Sequence, residues 1–394
     1  MRKVKNDLRQ EIIERALNDL NFFIKLIHPD RVLGQVHEEL NNWCTRQEAK
    51  THQLILLPRD HQKSAMAAYR VVWEITKNPA IRVLYLSATS NLAKKQLKLI
   101  KDILTCDKYR FYWPEMVTQE EMKREKWTET EISVDHPRRK KEYVRDPTVF
   151  IAGLTTTITG LHCDIIVQDD VVVDDNAYSN DGREKVRTQA SYLASIAGTE
   201  GRVWVYGTRY HPKDLYNDYL NQVVTLYDED TGDIIDSYNL FEIFERQVES
   251  RGDGTGEFIW PRSQRKDGKW FGFDQKILAQ KKAQYFDNSK FRSQYYNDPS
   301  DTDSSLIKSE HFQYYNKNGM DQDSGYWYYR DNRLNVFAAI DFAYTTNAKS
   351  DYTAIVVVGV DANHNYYVLD IERFKTNSIK EYFDKLLALH IKWE

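Results

Sequence analysis

Short apolar runs, each leading into a stretch of helical periodicity, recur through the first 220 residues. This alternation constrains the fold more than any other feature of the chain. Leu54-Ile55-Leu56-Leu57 ends at Pro58 and is followed by a helix over Lys63 to Thr76. Val83 to Leu86 is followed by a helix over Asn91 to Leu104. Val149 to Ala152, Asp164 to Val167 and Arg202 to Tyr206 read as further strands, with a helix from Asp181 to Ile196. Runs this short and continuously apolar suit strands covered on both faces. Strands alternating with helices make βαβ units, so the fold class is α/β with a mostly parallel sheet. Two helices precede the sheet: Asn6 to Ile27, stopped by His28-Pro29-Asp30, and Val36 to Ala49.

Beyond residue 220 the character changes. Val223 to Glu249 is rich in β-branched and aromatic residues, Gly252 to Gly256 is a turn cluster, and Asp298 to Ser305 is a linker candidate. Asn335 to Ile340, Tyr352 to Val360 and Tyr366 to Ile371 form an antiparallel meander, its last two strands joined by the turn Asp361-Ala362-Asn363-His364-Asn365. A helix follows from Ser378 to His390. The expected organisation is a first domain over 1–220, an extension and linker over 221–300, and a last domain over 301–394. The net charge of −4 argues against coating nucleic acid by bulk charge and leaves room for a local basic channel. With a mean hydropathy of −0.67 and no apolar run near the ~18 residues of a membrane span, a soluble protein outside the secretory pathway is expected. The three cysteines form no CxxC pair, so any functional metal should be a hard one held by carboxylates.

Two segments carry chemistry. Pro58-Arg59-Asp60-His61-Gln62-Lys63-Ser64 lies between an apolar strand and a helix start. Helix-start amides favour anions, Lys63 adds a point charge and the Ser64 hydroxyl suits Mg²⁺, as in a phosphate-binding loop. The usual GxxxxGK[ST] pattern is not met: Leu57 and Gln62 stand at the glycine positions, and a side chain at 62 would crowd the approach to phosphate. The second segment is the strand ending in Asp169-Asp170, which can place one carboxylate on Mg²⁺ and the next beside a water. Gly207-Thr208, at the tip of another strand, offers a hydroxyl to sense a terminal phosphate.

Taken in order, these segments resemble the large terminase subunit of tailed bacteriophages, the motor that packages DNA into procapsids. Leu57 to Ser64, Thr157-Ile158-Thr159-Gly160 through Asp164 with Asp169-Asp170, and Gly207 to Pro212 carry the resemblance. Phe291 to Pro299 and Ala339-Ile340-Asp341-Phe342-Ala343 extend it. The resemblance implies a RecA-like P-loop ATPase followed by an RNase H-like nuclease. It gives Arg59 and Lys63 to the triphosphate, Ser64 and Asp169 to Mg²⁺ with ATP, Asp170 to the catalytic carboxylate and Gly207-Thr208 to coupling. Asp170 stands where many relatives have Glu.

It also implies a homo-oligomeric ring on the portal of the procapsid, the small terminase subunit as partner, and double-stranded DNA gripped without sequence preference, in the cytoplasm of an infected bacterial host. A neighbour's arginine would complete the ATP site, with Arg138, Arg139 and Arg145 as candidates in the basic stretch Pro137 to Arg145. The same stretch, Lys281-Lys282 and Arg292 are candidates for DNA phosphates. For the nuclease, with Mg²⁺ or Mn²⁺, Asp341 matches the first-strand ligand, and Asp351 and Asp370 are helpers of lower rank. The sequence stops at Trp393-Glu394 before a fourth strand, so the nuclease is expected to be incomplete. A helicase-type ATPase, or a motor-like DNA- or portal-binding protein that has lost ATPase activity, are the alternatives.

Overall fold

The computed structural model describes residues 2–156, 158, 160–228, 231–299, 313–342, 353–374, 376 and 378–393. Thr157, Thr159, Ala343, Asp351, Glu394 and the linker candidate beyond Pro299 lie outside the described residues. Two compact units are present, Met1–Leu306 and Ile307–Glu394.

The first unit is built on a seven-stranded sheet. Its strands are β1 (His52–Leu56), β2 (Val83–Ser87), β3 (Glu131–Ile132), β4 (Val149–Gly153), β5 (Ile165–Asp169), β6 (Arg202–Gly207) and, after the hairpin β7 (Val223–Tyr227) and β8 (Ile234–Asn239), β9 (Glu242–Glu245). The order across the sheet is β3-β4-β2-β5-β6-β1-β9, parallel except for the edge strand β3. Alternate residues serve opposite faces, as the pleat requires. Ile55, Leu57, Tyr85, Val167 and Trp204 join one core cluster, and Leu54, Leu56, Leu84, Ile166 and Val205 the other.

The first cluster is closed by α1 (Arg2–Asn18), α2 (Leu20–Ile27), α3 (Gln35–Thr45), α4 (Lys63–Lys77) and α5 (Ser90–Thr105). After α6 (Asp107–Tyr112), α7 (Pro137–Lys141) and α8 (Asp174–Ala177), the second is closed by α9 (Asn180–Tyr192) and α10 (Leu215–Leu220). The helix expected over Asn6 to Ile27 is two helices. The Asp19 carboxylate accepts from the Phe22 N–H at 3.0 Å and starts α2 anew, a capping bond that an apolar-periodicity argument does not see.

The stretch expected as a separate extension, 221–300, belongs to the first unit. β9 extends the sheet beside β1, the small hairpin β10 (Ser263–Gln264) and β11 (Trp270–Phe271) follows, and α11 (Gln275–Ala283) and α12 (Asn288–Tyr296) build a small cluster around Val248, Phe273 and Tyr295.

The second unit is a five-stranded sheet in the order β12 (Met320–Asp323), β13 (Tyr326–Tyr329), β14 (Asn332–Asp341), β15 (Thr353–Val360), β16 (Tyr366–Phe374), all antiparallel. The sequence pattern showed the last three strands. The β12–β13 hairpin escapes it because β12 is polar throughout apart from Met320. α13 (Ile379–Trp393) lays Leu386, Leu389 and Trp393 over Ile355, Val357 and Phe374. No helix among the described residues is long and apolar enough to cross a membrane.

Candidate nucleotide site

Three loops leave the parallel sheet at one height. Leu56 is level with Gly207 and Asp169 with Tyr206, so the loop after β1, the Thr208 tip of β6 and the Asp169-Asp170 tip of β5 emerge side by side. This is the carboxyl-end edge where open α/β sheets bind ligands. β6 lies between β1 and β5, so a group from the first loop must reach over it. The start of α4 does so. The Ser64 hydroxyl donates to Asp169 Oδ1 at 2.8 Å, and Lys63 Nζ lies 3.2 Å from Asp170 Oδ1.

Asp169 is buried, and its second oxygen accepts from the Tyr85 hydroxyl at 2.9 Å. Burial and then the neighbouring Asp170 charge push its carboxyl up from the ordinary range, while Lys63, Ser64 and Tyr85 pull it back. Two carboxylates thus face one ammonium, a site short of positive charge. That deficit and the hydroxyl-plus-carboxylate pair fit a magnesium ion held by Ser64 and Asp169. Among the described residues there is no cluster of three His, Cys, Asp or Glu side chains placed for a metal, so remaining ligands would come from nucleotide and water. Asp170 has φ +47°, a left-handed conformation unusual for a side-chain-bearing residue and of the kind found at functional tips.

The loop itself is fixed at every step by other parts of the unit. The Leu57 N–H donates to the Gly207 carbonyl at 3.2 Å, and the Thr208 hydroxyl donates to the Leu57 carbonyl at 2.9 Å. The hydroxyl assigned to phosphate sensing is therefore engaged in holding the loop's first turn. Gly207 admits no side chain, since a Cβ would stand 2.2 Å from the Tyr216 ring.

The Arg59 N–H donates to the Gln294 carbonyl at 2.8 Å, and its guanidinium donates to Gln294 Oε1 at 3.3 Å. The Gln294 amide in turn donates to the Arg209 carbonyl at 3.2 Å. Asp60 (φ +65°) and Gln62 (φ +54°) both take left-handed backbone. Gln62 therefore adopts the conformation for which glycine is usual, and its side-chain amide donates to the Val32 carbonyl at 3.2 Å.

His61 is buried and stacks on Phe273 with centroids 5.0 Å apart and planes 3° from parallel. The backbone carbonyl of His61 accepts from His37 Nε2 at 3.0 Å, and His37 Nδ1 accepts the Gly34 N–H at 2.9 Å, which fixes the His37 tautomer. Gln294, Tyr85, His37 and Phe273 had no role assigned from sequence. Nothing in their spacing marks them, because each meets the loop only through the fold.

The other candidates fall elsewhere. Arg139 is buried and donates to the carbonyls of Pro79 at 3.2 Å and Ile81 at 3.1 Å, and to that of Asp146. It is a clamp below the start of β2, at the edge of the sheet opposite the nucleotide site. That engagement leaves it no donor set to lend a neighbour. Arg138 pairs with Glu142 at 2.6 Å and Arg145 is exposed on the same stretch.

Of the other basic residues, Lys281 pairs with Asp60 at 3.4 Å, Arg292 with Asp298 at 2.8 Å, and Lys282 is exposed. In the second unit Asp341 shares a rung with Ala354 and Arg373, whereas Asp370 lies opposite Val357. Ala354 and Val357 are an odd number of residues apart, so the two carboxylates point to opposite faces and cannot share a metal. Asp370 instead accepts from Lys392 at 2.6 Å and from the Trp393 indole at 3.0 Å, holding α13 to the sheet.

The fold is similar to that of phage large terminases. The chain matches the large terminase ATPase domain of Thermus phage P74-26 at 14% identity, covering 71% of this chain and 97% of that one with a TM-score of 0.40; a point mutant of that domain matches with a TM-score of 0.42. A full large terminase from a thermophilic bacteriophage matches at 10% identity over 92% of this chain and 75% of that one, with TM-scores of 0.40 and, in its complex with ADP, 0.38. No family model and no curated relative matches.

The histidine support of the loop is pH-sensitive. Burial lowers both His37 and His61 from 6.5 to about 4. Between those values the unfolded chain holds more protons than the folded one. Their stabilisation is therefore complete above the unfolded value and is lost as pH falls toward the folded one, at up to about 1.4 kcal/mol per pH unit for each ring. Urea midpoints compared at about pH 7.5 and about pH 5 should fall further for the wild type than for a His37→Gln/His61→Gln variant. Equal falls would remove these imidazoles from the pH response.

Proposed function

We propose that the chain is an ATP-driven motor that moves double-stranded DNA into viral procapsids, working in the cytoplasm of an infected bacterial cell. The observation that carries the ATPase part is the convergence of Lys63 and Ser64 onto Asp170 and Asp169 across the intervening strand. The DNA-packaging part is supported by the ordered set of motifs from Leu57 to Asp341.

Lys63 and the helix-start amides bind the triphosphate, with Arg59 beside them. Magnesium, held by Ser64 and Asp169, offsets charge on the phosphates. Once Lys63 turns from Asp170 to phosphate, Asp170 is released to orient the attacking water and accept its proton. The left-handed backbone of Gln62 supports an active loop over an inactive one. Motion is passed outward by the bonds that hold the loop: Thr208 on Leu57, and Gln294 on Arg59 and Arg209.

The setting is a ring of several copies on the portal, loaded with DNA with the help of the small terminase subunit. DNA is held through its phosphates, because packaging must ignore sequence. The second unit belongs to an RNase H-like nuclease of which this chain carries one first-strand ligand, Asp341; one carboxylate does not hold two metals.

Lys63→Ala should lower ATP turnover at least about a hundredfold with little change in thermal unfolding; normal hydrolysis would reassign the loop. DNA affinity should fall linearly in log–log with salt, with the same slope for unrelated duplexes, and a marked sequence preference would overturn the phosphate-grip reading. Plasmid incubated with Mn²⁺ should stay intact; cleavage abolished by Asp341→Ala would show a complete nuclease site.

A further inference from the structure

The hairpin β7–β8 stands out from the parallel sheet and has apolar side chains exposed on both faces. Val223, Tyr227 and Ile234 lie on one face, Leu226 and Tyr238 on the other, and all are exposed. A two-stranded hairpin alone is marginal in water, and exposed apolar residues on such an element mark a contact surface. Its charge narrows the partner. Between Val223 and Asn239 the sequence holds Asp228, Glu229, Asp230, Asp233 and Asp236 and no lysine or arginine. An acidic element of this kind repels nucleic acid and calls for a basic protein surface with an apolar component.

The chain itself presents such a surface. Around α7, Arg138, Lys140, Lys141 and Arg145 are exposed, and among them Tyr143 is 87% exposed with φ +53°. An exposed aromatic held in left-handed backbone is costly for a residue with no contact to make. The two surfaces cannot meet within one molecule. The hairpin is tied beside the start of β1, where Lys50 Nζ donates to the Asn239 carbonyl at 2.7 Å. The α7 stretch is tied below β2 and β4 by Arg139. In the sheet order β9 and β4 are five strand spacings apart, roughly 24 Å. Both surfaces lie at the same edge of the sheet, at its two lateral ends. Two different, complementary surfaces on opposite sides of one protomer are what a head-to-tail contact requires, and such contacts close into rings.

We infer that the β7–β8 hairpin of one copy docks on the Pro137–Arg145 stretch of the next. The inference supplies the ring of the proposed motor with its contact, but the association is measured without nucleotide, and Lys63→Ala must associate as the wild type does. The basic stretch then serves as a docking surface and not as the source of an arginine for the neighbouring ATP site.

The test is charge reversal followed by sedimentation velocity at low salt. Asp233→Lys/Asp236→Lys alone and Lys140→Glu/Lys141→Glu alone should each weaken self-association at least about tenfold. Mixed together, the two variants should associate again, because each hairpin now meets a stretch of opposite sign. Circular dichroism of each variant establishes that it is folded. A wild type that stays monomeric, single reversals that associate normally, or a mixture that fails to recover would each overturn the inference.

Discussion

The Asp169 carboxylate is the point on which the candidate site depends. It is buried at the tip of a central strand, and a buried carboxylate is costly unless its oxygens are bonded. Ser64 and Tyr85 supply those bonds from two different elements, α4 and β2. The same two bonds therefore satisfy the acid and pin the start of α4 over β6. Had the loop after β1 been adjacent to β5, no such reach would be needed. With β6 between them, the site exists only because the helix start spans the gap.

The remaining loop contacts form a second ring of support, drawn from segments remote in sequence. His37 comes from the N-terminal helices, Phe273 and Gln294 from the region after the sheet. Backbone in the left-handed region at Asp60 and Gln62 is tolerable when the surroundings over-determine it, and here main-chain bonds at Leu57, Arg59 and His61 do so. Gln294 is bonded to Arg59 on the loop and to Arg209 past the tip of β6, so a shift of α12 and a shift of the loop are mechanically linked.

Much of this architecture was legible. The strand–helix alternation located every parallel strand of the sheet except β9, because continuous apolar runs of five residues have no other stable use than burial on both faces. Lys63, Ser64, Asp169 and Asp170 were legible for a related reason: polar groups placed directly at the end of an apolar strand are carried to the sheet's carboxyl edge whatever the rest of the chain does. The break between α1 and α2 and the β12–β13 hairpin were not legible, since one rests on a single capping carboxylate and the other on strands with few apolar residues.

The sequence by itself determined the elements, their order and the chemistry at their tips, because hydrophobic periodicity is a local property. Tertiary structure alone decided which tips meet. It placed Arg139 under the sheet as a clamp, turned Asp370 to the face opposite Asp341, and engaged Thr208 with Leu57. These outcomes follow from strand order and register, which are set by long-range pairing and by the two-residue alternation of the pleat. Neither can be read from a residue and its immediate neighbours.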